Sequence, residues 1–135
     1  MTAVAARFGR IAAGVAQRQL DALALAAPGL LCAVLLSADG FEVASLQTDK
    51  GSAARLAAMA SSLSAIAAAI AREAGLAESN RMIIESANGT IVLANVPDTS
   101  PPLLLAVIVA DGCVLGRLLW ATTNCCNAIG RAFRE

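Results

Sequence analysis

The sequence predicts an α/β sandwich of the α+β kind. A five-stranded, mainly antiparallel sheet carries a long middle helix on one face and two terminal helices on the other. Three observations predict it. Apolar residues recur at helical spacing near both ends and in the middle of the chain. Two pairs of short apolar runs are joined by Asp39-Gly40 and Asn88-Gly89, dipeptides that favour hairpin turns. A continuous aliphatic run, residues 103–110, has the pattern of a strand buried on both faces, so it belongs at the centre of the sheet.

The elements follow in order. Residues 4–26 form a helix: Phe8, Ile11, Val15, Leu20 and Leu23 repeat at helical spacing, and Pro28-Gly29 ends it. Residues 30–37 and 41–46 form a hairpin around Asp39-Gly40, where glycine accepts the positive φ of the turn. Thr48, Asp49 and Ser52 are candidate caps for the next helix. That helix covers residues 53–74 and stops at Gly75. Residues 81–87 and 90–96 form the second hairpin around Asn88-Gly89. In its return strand Ile91, Leu93 and Asn95 share one face, and Val92, Ala94 and Val96 share the other. A loop with three prolines, residues 97–102, leads to the strand 103–110 and its Asp111-Gly112 stop. Residues 114–133 form the last helix, with Leu115, Leu118, Leu119, Thr122, Cys126, Ile129 and Phe133 on one face. The order is helix, two strands, helix, three strands, helix. No repeat or linker divides it, so residues 1–135 read as one domain.

Composition narrows the function. The chain is 58% hydrophobic but only 3% aromatic, so its core must be aliphatic, with Phe8, Phe41, Phe133 and Trp120 as the few large pieces. Ten basic and ten acidic residues cancel. There is no basic stripe and little aromatic surface for stacking bases, which argues against nucleic acid. Charged residues make up only 15%, too few to cover so apolar a chain, and a net charge of zero favours association. The expectation is self-association. The apolar stretch 56–71 falls short of the ~20 strongly apolar residues of a membrane span, so no membrane insertion is expected. The first ten residues lack the pattern of a secretory signal, so a cytoplasmic setting with reduced thiols is expected.

The order and spacing of these motifs resemble the roadblock / dynein light chain family. Residues 31–44, an apolar strand ending in Asp39-Gly40 and restarting at Phe41, are similar to that family's opening hairpin. Residues 53–74 resemble its middle helix, and residues 82–86 with 89–93 its second hairpin. Residues 103–109 and 112–119 resemble its last strand and the turn into its final helix. The resemblance spans residues 20–133, and the heavy alanine content and the proline-rich loop 97–102 depart from the pattern. It implies a profilin-like roadblock fold. It also implies homo- or heterodimers in which two sheets join edge to edge and two middle helices pack together. Bacterial members are commonly partners or regulators of small Ras-like GTPases, acting by reshaping the GTPase's own loops. Others serve in dynein or lysosomal scaffolds.

The middle helix carries the expected interface. Leu56, Met59, Leu63, Ile66 and Ile70 follow a heptad seam, which one sheet can cover. Beside it Ala53, Ala57, Ala60, Ser64, Ala67 and Ala71 form a stripe of small residues, which is assigned to a symmetric second copy. Alanine is also simply the best helix former, and an idle exposed stripe is the plainer alternative; the shortage of charge favours pairing. On the third face Arg55, Ser62, Ala69 and Arg72 are assigned to docking of a further protein.

Catalysis is not expected. The chain has no histidine and no tyrosine, and no phosphate-binding loop motif. Its carboxylates are scattered, and Asp39 and Asp111 read as turn formers. Cys125-Cys126 lacks the spacing of a redox or metal motif, so these and Cys32 and Cys113 read as small hydrophobes. Asn88-Gly89-Thr90 has the form of a glycosylation sequon but reads as a turn. Arg81 is the one mid-chain arginine near a loop, and reads as a solvated strand end rather than an arginine finger. No cofactor or metal is expected. The reading is a non-catalytic, dimeric signalling module that regulates or scaffolds a small Ras-like GTPase. The alternatives are a structural light-chain or scaffold subunit of a motor or membrane-associated complex, and a small-molecule sensor.

Overall fold

The computed structural model describes residues 9–46 and 50–134. Three helices and five strands alternate along them: α1 (Arg10–Ala26), β1 (Leu30–Ser37), β2 (Glu42–Leu46), α2 (Lys50–Glu73), β3 (Arg81–Ser86), β4 (Gly89–Val96), β5 (Leu103–Ala110) and α3 (Leu115–Arg134). The strands form one sheet in the order β2-β1-β5-β4-β3, and every pairing is antiparallel. β5 is central, as its unbroken aliphatic run requires.

The sheet separates two apolar layers. On one face Leu35, Val92, Leu105 and Val107 meet Leu20 and Leu23 of α1 and Leu118 and Ile129 of α3. On the other face Val34, Leu36, Leu93, Leu104 and Ala106 meet α2. The alternation expected in β4 is observed: Val92, Ala94 and Val96 face the terminal helices and Leu93 faces α2.

Three expectations about side-chain placement are corrected. In α1 the buried positions are Ala12, Ala16, Leu20 and Leu23, while Ile11 is exposed and Val15 only half-buried. Phe8 lies outside the described residues, as do Thr48 and Asp49; Ser52 sits inside α2 rather than capping it. The aromatic residues do not build the core: Phe41 and Trp120 are exposed and Phe133 packs at the margin. For Ile11, Val15 and Trp120, all on helices, the physical reason is shared. Where a helix must lie close to a sheet already filled by leucine and valine, alanine allows the approach and larger side chains are displaced outward.

Glycines set two of the turns. Gly40 has φ +95°, as expected of the Asp39-Gly40 turn. The second hairpin turns instead at Ala87-Asn88, with Gly89 already paired to Ser86. Gly89 is required by crowding: a Cβ there would run into the carbonyl oxygen of Val109 on β5. The end of α2 is closed by Gly75 at φ +73°, with N–H groups of Gly75 and Leu76 bonded back to the carbonyls of Arg72 and Ala71, a Schellman arrangement.

Candidate interaction surface

The assignment of faces on α2 is reversed in the structure. Ala53 and Ala57 are completely buried on the sheet, Ala71 is buried, and Ala60, Ser64 and Ala67 are half-buried. The stripe assigned to a second copy is therefore the side on which α2 lies against its own sheet. The large residues point the other way. Met59, Ile66 and Ile70 are 59%, 57% and 64% exposed, with Leu56 and Leu63 half-buried between the two faces. A seam of large residues against the sheet would hold the helix farther off. Instead α2 runs close against the turn 38–40. A Cβ on Gly40 would stand 3.5 Å from Ala58 Cα and Ser61 Cβ, and Ser61 Oγ donates to the carbonyl of Ala38.

This placement leaves α2 with an open apolar side. Within residues 51–73 an 18-residue window reaches a mean hydropathy of 1.5, and the helix is long and apolar enough, by length and composition, to cross a bilayer. That exceeds what the run 56–71 suggests. Only 17% of the stretch is buried in this fold. A contiguous apolar patch of this kind marks a binding surface.

Beside the exposed side of α2 the sheet is also bare. α2 packs on β1, β2 and β5. A cleft of about 230 Å³ opens toward β3, and Leu56, Met59, Leu63, Ile84, Ile91 and Ile108 line it with almost no polar surface. A second, more polar cleft of about 560 Å³ lies at the far half of α2, between Ser61, Ser64, Glu78, Arg81, Asn95 and Asp98. Both are open to solvent.

The two edges of the sheet differ. β2 is short, its pairing with β1 is broken by a bulge at Leu35/Leu36, and Gln17 of α1 donates to the carbonyl of Ser45. β3 is paired without interruption to β4 and shows no neighbour on its other side among the described residues. Its hydrophobic residues Ile83 and Ile84 are 38% and 36% exposed. An open, regular, partly apolar edge is a template for another strand.

Arg55, Ser62, Ala69 and Arg72, assigned to docking, are all exposed on α2. Ser62 Oγ bonds back to the carbonyl of Ala58, and Arg55 Nη2 donates to Ser52 Oγ. Arg81 is exposed at the start of β3. The cysteines carry no exposed reactive thiol pair. Cys125 and Cys126 are buried on α3, and burial pushes both thiols up to about 12. Burial raises Cys32 as well. Among the described residues no cluster of cysteine and carboxylate side chains is suited to hold a metal ion.

The β3 edge and the outward turn of α2 are not readable as such from the sequence. The signal present is the alternation in β3, with Met82 and Ile84 on the α2 side and Arg81, Ile83 and Glu85 on the other.

Comparison with known proteins places the fold. No curated protein sequence matches the chain. A Roadblock/LC7 domain from Streptomyces avermitilis has 19% identity and a TM-score of 0.81, over 88% of this chain and 98% of that one. Myxococcus xanthus MglB has 15% identity and a TM-score of 0.79, over 90% of each chain. The gliding protein MglB from Thermus thermophilus has 17% identity and a TM-score of 0.81, over 92% of each. At this identity the likeness is one of fold. The model of the Roadblock/LC7 domain matches residues 16–115, well over half of the chain. The chain therefore belongs to the Roadblock/LC7 family.

Proposed function

We propose that the protein is a non-catalytic interaction module that works as a homodimer and presents its paired middle helices to a small Ras-like GTPase. The observation that carries this reading is the outward placement of Met59, Ile66 and Ile70 beside the apolar cleft and the open β3 edge. Pairing β3 with β3 of a second copy continues the sheet and brings the second α2 over the bare apolar strip. That buries both surfaces in one step, as a two-fold contact requires. Membership of the family supports the reading, because the roadblock resemblance implies dimers joined edge to edge. The small-GTPase partner follows from the bacterial members of the family, and the structural likeness to MglB agrees with it.

In such a pair the turns of α2 with Arg55, Ser62, Ala69 and Arg72 stay outside and form the docking face. Two experiments test the reading. Light scattering at micromolar concentration is expected to give twice the chain mass, and a monomer overturns the pairing. Binding of a small Ras-like GTPase from the same organism is expected to weaken in an Arg55→Glu/Arg72→Glu variant; binding equal to that of the parent overturns the docking face.

A further inference from the structure

We propose that the two copies pair in one register, centred on Ile83, and that Arg81 and Glu85 select it. This register rests on the β3-to-β3 pairing proposed above and adds the residues that make the edge recognise itself.

The backbone supplies the first constraint. In an antiparallel ladder alternate residues direct both N–H and C=O toward the partner strand. The β3–β4 hairpin closes at Ser86–Gly89, and the carbonyl of Asn80 accepts from the N–H of Asn95. The even-numbered residues of β3 are therefore committed to β4. Arg81, Ile83 and Glu85 direct their N–H and C=O groups to the open edge. Any strand added there must pair through these three.

The side chains supply the second. Arg81, Ile83 and Glu85 lie opposite Ala94, Val92 and Thr90 of β4, so all three share the face of the terminal helices. All three are exposed, and neither charged group has a side-chain partner among the described residues. Within one strand they are about 13 Å apart, at ~3.3 Å per residue, too far to neutralise each other.

A two-fold axis can pass through any of the residues from Arg81 to Glu85 and satisfy the backbone rule. With the axis at Arg81 or at Glu85, like charges lie directly opposite. With the axis at Met82 or at Ile84, each charge that pairs faces Ile83 or lies beyond the strand, and fewer residues pair. With the axis at Ile83, Arg81 faces the second copy's Glu85, and the same contact recurs across the axis. Ile83 then faces its own copy, and Met82 faces Ile84 on the α2 side. This register alone uses all the outward backbone groups and places only unlike charges opposite each other. Opposite-charge pairs across a strand pair stabilise it, and like charges directly opposite destabilise it.

Charge exchange tests this. Arg81→Glu and Glu85→Arg are each expected to weaken self-association about tenfold, since each replaces two attractions by two repulsions. Mixed one to one, the two variants are expected to form a heterodimer as tight as the parent, because the two like-charged strands then face each other with opposite signs. The double variant Arg81→Glu/Glu85→Arg is expected to self-associate like the parent. A cross-link checks the axis without charge change. Ile83→Cys places two thiols across the axis, with Cα atoms about 5.5 Å apart, and is expected to form a disulfide between copies. Ile84→Cys, facing Met82, is not. Single variants that dimerise like the parent, or a mixture without heterodimer, overturn the register while the pairing stands. A monomeric parent overturns the pairing and the register together.

Discussion

Gly130 of α3 lies directly against Pro97, so close that a Cβ on Gly130 would stand 2.8 Å from the Pro97 carbonyl oxygen and 3.4 Å from its ring. The loop after β4 is thereby clamped to the last helix. The clamp is reinforced by Arg134, whose Nη1 donates to the same carbonyl at 3.4 Å and to Asp98 Oδ2 at 3.2 Å. Gly130→Ala is expected to destabilise the fold by about 1–3 kcal/mol, despite the better helix propensity of alanine, because backbone must move to admit the methyl. Chemical denaturation reads this. A variant as stable as the parent contradicts the contact.

Thr122 is expected to respond in the opposite sense. Its side chain is completely buried in α3, and its hydroxyl has no hydrogen-bond partner among the described residues. An unsatisfied buried hydroxyl costs about 1–3 kcal/mol. Thr122→Val keeps the shape and removes the group, so the denaturation midpoint should rise.

The two sides of α2 should separate stability from pairing. Ala57 is completely buried, and Ala57→Leu forces the helix off the sheet, at a cost of about 1–3 kcal/mol or more. Ile66 is 57% exposed, and Ile66→Glu should leave the stability of the monomer within about 0.5 kcal/mol of the parent. The same change should abolish dimers in light scattering. A dimeric Ile66→Glu variant places the interface elsewhere.

Stability should fall at high pH through the buried thiols. Cys125 and Cys126 titrate near 12 in the folded chain, against 9.0 for a free thiol. The unfolded chain therefore loses these protons first. The stabilisation is complete below pH 9 and is lost between about pH 9 and pH 12, by roughly 1.4 kcal/mol per pH unit for each thiol. The chain has no tyrosine and a single lysine, Lys50, so few other groups compete there. Denaturation midpoints measured from pH 8 to 11 should decline steeply in the parent, and much less in a Cys125→Ala/Cys126→Ala variant.

Element order, both hairpins, the central place of β5 and the division of helices between the two faces of the sheet are all legible in the chain. They follow from local chemistry: Asp39-Gly40 favours a tight turn, and a run such as Leu103 to Ala110 is stable only when covered on both sides. The two stripes of the middle helix are legible as well, but which of them faces inward is not. Periodicity records that Ala57 and Ile66 lie on different sides of a helix, but not how far that helix stands from its sheet. In the fold α2 runs close to Gly40 at Ala58 and Ser61, and packs on a sheet already filled by leucines and valines. At that distance alanine fits and isoleucine does not, so Ala53 and Ala57 are buried and Met59, Ile66 and Ile70 are left exposed. The open edge at β3 has the same origin. No residue of β3 announces it, because an edge is a property of strand order, and that order is settled by contacts far apart in the chain.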